Sequence, residues 1–393
     1  MLELGKAHSL MERQKMDALV VSMPENFYYI TGVYPLECDM IKDHVRYAVI
    51  PREGIDPFVV VPDYEAQLFD KWGGKVIDFT SEKYIKGGSG RAPVAEQYLS
   101  RSNLQALETV PLPDSVLMKG TKTLAEVLKA KNLGKGVLGV ERRQRADVSN
   151  ELRAALPDAV FKNGSIVLNE LRLIKSKEEI DHIRKATRIT ENALKAAIDE
   201  IKVGTKMADL KVLIRQIMCA DVDSGPIEVG VGTWFFSPAN HVLREGDVAR
   251  LDLGARYKYY CSDVSRQVAI GRTPKEWNIL FDAFLEAEET IISMVKPGAM
   301  TDELFEAGME IVRRVDPDYE RGHLGHGIGI ELHEAPHIAP KPDGEPLRTN
   351  MVLTVEIPYY VAGTVGFNCE DILVVTDQGC EPLSSLSREL YRK

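Results

Sequence analysis

No run in this 393-residue chain approaches the roughly 18 consecutive apolar residues that a membrane-crossing helix needs. Positive charge is in deficit: 49 Lys and Arg stand against 59 Asp and Glu, a formal net charge of −10. No Lys/Arg block makes a basic face, so neither nucleic acid nor membrane is an expected partner. The first residues, "MLELGKAHSLMERQKMDALVVSM", lack the charged start, apolar run and small-residue cleavage site of a secretory leader, and read as a helix leading into a strand. Cysteine is rare. Cys38, Cys219, Cys261, Cys369 and Cys380 are widely spaced and form no CxxC pair. An odd, scattered set in a long chain points to reduced thiols and a cytoplasmic location, each cysteine acting as a small buried side chain. What remains is an ordinary globular composition, 44% apolar and 27% charged, at a length that suits two or three domains.

Histidine is scarce too, and unevenly placed. Of eight in the chain, His323, His326 and His333 fall in "GHLGHGIGIELHEAP" (322–336), and His337 follows at once. Fixed imidazole nitrogens are one reason for such a cluster, and the test is what other segments bring to it.

The first part of the chain alternates strand and helix patterns. "DALVVSM" (17–23), "RYAVIP" (46–51), "FVVVPD" (58–63) and "GVLGVE" (136–141) are rich in β-branched residues, and "TKTLAEVLKAKNLG" (121–134) reads as a helix ending in Gly. This predicts an α/β layer domain over residues 1–160. The character changes near Asn163-Gly164. "IKSKEEIDHIRKATRITENALKAAIDEI" (174–201) is a long helix with a capping box at Ser176 and Glu179. Ile180, Ile183, Thr187, Thr190 and Leu194 give it one face to bury. An internal echo follows: "IKVGTKMADL" (201–210) aligns with "VKPGAMTDEL" (295–304) at an offset of 94, each after one helical pattern and before another. The expected class is α+β, with a second domain over 165–393 built as a duplicated unit with pseudo-twofold symmetry.

Carboxylates occur where strands should be apolar. "DVARLDLGARYKYYCSDVSRQVAIG" (247–271) reads as a hairpin with its turn near Arg256–Lys258. If the hairpin is centred between Tyr257 and Lys258, Asp252 and Asp263 stand directly opposite each other. Two carboxylates that close repel unless a proton or cation lies between them. Glu356 interrupts the apolar strand "MVLTVEIPYY" (351–360), and Glu370 and Asp371 interrupt "VGFNCEDILVVT" (365–376). Bare burial of such groups is costly, so they call for partners. His326, between glycines in "GHGIG", is the best nitrogen ligand. One histidine with several carboxylates suits Mn²⁺, Fe²⁺, Co²⁺ or Zn²⁺, and a bridged pair of ions would use Asp252, Asp263, His326, Glu356 and Glu370. His333 reads better as a catalytic group beside them, and His323 and His337 as packed or surface residues.

"GHGIGIELHEAP", "LDLG" with "SDVSR", "TVEIP" and "CEDILVVT", in this order and spacing, resemble the pita-bread metallohydrolases, the family of prolidase, aminopeptidase P, methionine aminopeptidase and the metal-free creatinase. "NFYYITG" (26–32) and "IKSKEEIDHIRKAT" (174–187) extend the resemblance over nearly the whole chain. It implies a creatinase/prolidase-like N-terminal domain, a pita-bread catalytic domain, a homodimer in which one subunit's N-terminal domain helps close the other's site, and two divalent ions. Asp252 would chelate one ion, Asp263 and Glu370 would bridge both, and His326 and Glu356 would bind the second. Glu356 would also shuttle the proton, and His333 would stabilise the oxyanion.

The chain departs from the pattern in its substrate surroundings. Family peptidases place another histidine upstream of the first Asp. Counted back from Gly246-Asp247, that position falls near Phe235 in "GTWFFSPANH", among Trp234, Phe235 and Phe236, with His241 too close to the strand to substitute. Prolidase-like chains also carry arginines where His337 and Asn368 stand. Phe235, His241 and His337 are therefore candidate pocket residues. The first functional reading is a metal-dependent hydrolase of a small amide bond, with Xaa-Pro dipeptides as default substrate. The alternative is a non-peptide enzyme on the same site: a creatinase-like hydrolase of a small nitrogen compound, or a lyase such as a dimethylsulfoniopropionate lyase. The apolar wall and missing arginines predict weak Xaa-Pro activity and a compact substrate without a free carboxylate at its leaving end. A catalytically silent binding protein is the third reading, and the intact ligand set speaks against it.

Overall fold

The computed structural model describes residues 3–34, 46–70, 72–79, 116–142, 146–235, 237–238, 240–340 and 344–393. Cys38 and Phe236 lie outside the described residues. The chain divides into two compact units, Met1–Leu171 and Arg172–Lys393. Among the described residues no helix is long and apolar enough to cross a membrane.

The first unit runs α1 (Leu4–Arg13), β1 (Ala18–Val21), α2 (Pro24–Thr31), β2 (Tyr47–Pro51), β3 (Phe58–Pro62), β4 (Lys75–Phe79), α3 (Val116–Ala130), β5 (Val137–Val140), α4 (Ala146–Ala155), β6 (Val160–Asn163) and α5 (Ser165–Leu173). The strands form one mixed sheet in the order β4-β3-β2-β1-β5-β6. Its strands are apolar on both faces because both faces are covered. Leu19 and Val21 join a core with Ala7 and Leu10 of α1, whereas Ala18 and Val20 join the opposite core with Leu124 and Leu128 of α3. The "NFYYITG" segment is α2. Glu141, at the end of β5, accepts hydrogen bonds from the Met23 amide (2.8 Å) and the Asn26 side chain (2.8 Å), and so closes a helix start that has no cap of its own.

The second unit opens with α6 (Lys177–Glu200), and its Ser176–Glu179 capping box is formed. It continues with α7 (Met207–Met218), β7 (Ser224–Gly232), β8 (Val248–Tyr257), β9 (Tyr260–Cys261), β10 (Val264–Ala269), α8 (Lys275–Met294), α9 (Thr301–Arg313), β11 (His326–Gly327), β12 (Glu334–His337), β13 (Val352–Val361), β14 (Val365–Val375), β15 (Cys380–Pro382) and β16 (Tyr391–Arg392). A ten-stranded sheet runs β12-β11-β13-β14-β10-β8-β7, with β9, β15 and β16 at its margins. The two echoing decapeptides fold alike. Gly204 and Gly298 both adopt positive φ, at 89° and 85°, and each precedes a helix start, at α7 and α9. Their amides donate to Leu243 and Leu347 in the same pattern, at 2.8 Å each.

Alternation along β13 and β14 separates two environments. Leu353, Val355, Ile357, Phe367, Cys369 and Leu373 belong to one buried core with Phe281, Phe284 and Ile291 of α8 and Leu304 and Val312 of α9. Full burial of such a side chain is worth about 1.5–3 kcal/mol. The intervening positions, Thr354, Glu356, Asn368 and Glu370, point to the other face. The hydrophobic core thus dictates which polar residues converge.

Candidate metal centre

One cross-strand row carries most of the acidic residues. Asp252 on β8 faces Ser265 on β10, Ser265 faces Glu370 on β14, and Glu370 faces Glu356 on β13. Gly230 of β7 stands on the far side of Asp252, at the other end of the row. His326 enters from β11, its amide directed at the Thr354 hydroxyl at 3.3 Å. Ligand atoms of Asp252, Asp263 and Glu370 lie within 4.8 Å of one another, as do those of His326, Glu356 and Glu370, and those of Asp263, His326 and His333. The structure therefore brings together all six residues that the sequence placed at a metal and catalytic site.

The hairpin register differs from expectation. The turn is centred between Lys258 and Tyr259, both left-handed (φ 45° and 65°), and Tyr257 pairs with Tyr260. Asp252 consequently faces Ser265, and Asp263, just before β10, is its diagonal neighbour. Diagonal pairs on one face lie about 7–8 Å apart, still within reach of one another. A two-residue turn with both φ values positive matches the strand twist, and here it forms without the Asn-Gly signal that would have located it in the sequence. The directly opposed carboxylates are instead Glu356 and Glu370. Asp371 points the other way, toward Arg266 Nη2 (2.7 Å), Ser384 Oγ (2.6 Å) and Arg388.

The donor set fits a divalent ion. His326 is 1% exposed, and its Nδ1 lies 3.1 Å from the Gly327 carbonyl. With Nδ1 donating there, Nε2 carries the lone pair, and this buried atom has no hydrogen-bond partner. Burial lowers the His326 pKa to about 4, keeping the ring neutral and able to ligate. Burial pushes the Glu356 carboxyl up, but His323, His326 and Arg321 more than offset it and hold the group below the usual carboxylate range. Burial dominates at Asp252, whose pKa is raised despite Arg250, with Glu356 adding to the rise. Asn368 Nδ2 donates to Glu370 Oε2 at 3.0 Å and reaches Asp252 Oδ2 at 3.5 Å.

The histidines divide by position. The His333 ring lies 3.9 Å from that of His326. His337 pairs with His326 across β11 and β12 and so flanks the cluster. His323, which the sequence left as a packed or surface residue, sets Nδ1 3.2 Å from Glu356 Oε1. His241 is not brought into the cluster: its Nε2 lies 3.6 Å from Asp247 Oδ2, at the residue before β8. Five residues of strand separate Asp247 from Asp252, about 16 Å.

Several residues escaped the sequence reading. Arg250, two positions before Asp252 on the same face of β8, contacts the Asp252 carboxylate. Its guanidinium sits 5.7 Å from the Phe235 ring and 5.4 Å from the Tyr360 ring. Phe235 is exposed and meets Tyr360 edge-on at 4.9 Å, so it is not a core residue. Arg321 lies over the same Tyr360 ring, 5.5 Å away. The absence of arginine at 337 and 368 thus does not leave this face without guanidinium groups. A charged residue at strand spacing from Asp252 was the available signal for Arg250. Glu334, next to His333, is buried between Arg172 Nη2 (2.8 Å) and Lys175 Nζ (3.1 Å), which anchors β12.

The model of metallopeptidase family M24 matches residues 181–377, half of the chain, and that of the creatinase/prolidase N-terminal domain matches residues 4–174. The chain belongs to metallopeptidase family M24. This M24 chain is 26% identical to the Xaa-Pro dipeptidase of Pyrococcus furiosus over 98% of its own length and 99% of that protein. It is 29% identical to the Xaa-Pro dipeptidase of Pyrococcus horikoshii, over 99% and 98%. Its fold is that of the Pyrococcus horikoshii prolidase structure, with a TM-score of 0.79 at 24% identity and 98% and 99% coverage. The M24 chain is a metallohydrolase of the peptidase type, and its second unit is the pita-bread domain.

Proposed function

We propose that this M24 chain is a metal-dependent dipeptidase that hydrolyses Xaa-Pro dipeptides. Two divalent ions would be held by Asp252, Asp263, His326, Glu356 and Glu370. The observation that carries the reading is the convergence of these five groups around the buried Nε2 of His326, which makes no hydrogen bond and lies 3.7 Å from Glu356 Oε1. When bound, such ions lower the pKa of water and polarise a carbonyl oxygen. Glu356, with His323 at its Oε1, takes the proton of the attacking water and passes it to the leaving amine. His333 donates a hydrogen bond to the oxygen that becomes negative at the scissile carbon. Arg321, whose Nε has no hydrogen-bond partner, supplies the cation for the dipeptide's terminal carboxylate beside Tyr360. That reading replaces the expectation of a substrate without such a carboxylate.

A homodimer in the cytoplasm completes the proposal. It rests on family resemblance, the exposed Ile227 on edge strand β7 with the exposed Val222 just before it, and cysteines Cys219, Cys261, Cys369 and Cys380 present as thiols. The decisive experiment is an assay of Mn²⁺-loaded protein on Xaa-Pro dipeptides beside small betaines, ureas and cyclic amides. Turnover of the dipeptides that disappears on chelation is the expected result. Turnover only of the non-peptide compounds would overturn the assignment.

A further inference from the structure

We infer that Arg250 is a built-in counter-cation of the carboxylate cluster, holding Asp252 in the ion-free protein and competing there with bound metal. The inference rests on the metal reading above. Arg250 and Asp252 project from the same face of β8, two residues apart, and Arg250 is 1% exposed. Its guanidinium is fixed on several sides. Nε donates to the Trp234 carbonyl at 3.2 Å, Nη2 to the Phe235 carbonyl at 2.7 Å, and Nη1 to Asp252 Oδ2. The rings of Phe235 and Tyr360 close over it. A guanidinium is never deprotonated in a protein, so the charge is permanent, and this packing prevents it from swinging away.

Four carboxylates, Asp252, Asp263, Glu356 and Glu370, share the space next to it. Without ions their repulsion opposes assembly of the site, and a fixed positive charge on Asp252 relieves it. With ions present, the same charge repels a dication held by the same carboxylate and occupies one of its oxygens. Linkage makes the two effects one. Whatever stabilises the ion-free cluster relative to the loaded one weakens ion affinity by the same factor.

The test uses the full chain and Mn²⁺ alone. Mn²⁺ affinity is measured by chelator competition, and melting temperature is recorded with and without Mn²⁺, for wild type, Arg250→Gln and Arg250→Lys. Arg250→Gln keeps hydrogen-bonding capacity and removes the charge. It should bind Mn²⁺ at least about tenfold more tightly than wild type, as expected for unscreened charges a few ångström apart, and gain more melting temperature on loading. Arg250→Lys, which keeps the charge, should stay closer to wild type than Arg250→Gln does. Where Arg250→Gln unfolds once chelated but folds when loaded, the larger dependence on Mn²⁺ supports the inference equally. Unchanged or weaker Mn²⁺ affinity in Arg250→Gln overturns it, as does a lysine variant that behaves like the glutamine one. Failure of wild type to bind Mn²⁺ at all would instead refute the metal reading, so the two failures are distinguishable.

Discussion

Glu356 and Glu370 stand directly opposite each other across β13 and β14, inside a ladder that runs from Val352↔Val374 to Val361↔Val365. Opposed like charges in a buried ladder destabilise the sheet unless a cation or proton joins them. The core packed on the reverse face of both strands prevents either residue from slipping to another register, so the sheet itself enforces the pair.

Glu356→Gln relieves that repulsion while removing a ligand charge and the proton carrier. Turnover should fall roughly 10²–10⁴-fold, the range typical for loss of a general acid–base group. Steady-state kinetics on a Xaa-Pro dipeptide measures it, with elemental analysis reporting the accompanying fall in bound metal. Near-normal turnover would remove Glu356 from the chemistry.

His333 lies against His326 but is assigned to the oxyanion, not to the metal. His333→Ala should therefore cost about 10²–10³-fold in kcat, as loss of one oxyanion donor does, while metal content stays near that of wild type. A variant purified without metal would make His333 a ligand.

Arg321→Ala should raise KM for Xaa-Pro dipeptides about tenfold or more, with kcat close to wild type, because a hydrogen bond to a charged group contributes about 1.5–3 kcal/mol. The same variant should discriminate little between a dipeptide and its C-terminal amide. An unchanged KM would place the carboxylate elsewhere.

Glu334 is buried; burial alone would raise its pKa, but Lys175 and Arg172 outweigh that and hold it below the usual carboxylate range. A carboxylate depressed in the folded state stabilises above its unfolded pKa and loses that contribution as pH falls through its folded pKa. Glu334→Gln should cost about 3–5 kcal/mol at neutral pH, as for a broken buried ion pair. In denaturant titrations the gap from wild type should narrow as pH falls below the ordinary glutamate pKa of about 4.3, and close only below the depressed pKa of the folded state, where the wild-type group takes up its proton too. A gap independent of pH would show that packing, not charge, is responsible.

Much of this protein could be read along the chain. β-Branched runs marked β1, β2, β3 and β5, a Ser–x–x–Glu box marked the start of α6, and the echo at residues 201 and 295 marked two matching helix entries. These are local properties, set by period, capping and turn chemistry over a few residues. The residue types of the site were legible for a related reason: carboxylates inside apolar strands and a histidine between glycines violate local rules, and such violations concentrate where function is. What the chain could not specify was relative position. Register put Ser265, not Asp263, opposite Asp252, because the turn formed at Lys258-Tyr259, which lacks the glycine or asparagine that usually favours left-handed φ. Sheet pairing and the core beneath it aimed Glu370 at the cluster and Asp371 away from it. Packing of distant segments brought Arg250 and Arg321 against Tyr360 and set His323 beside Glu356. Contacts between residues far apart in sequence follow from how whole strands and helices bury their apolar faces, a property of the assembled sheet and not of any short stretch of it.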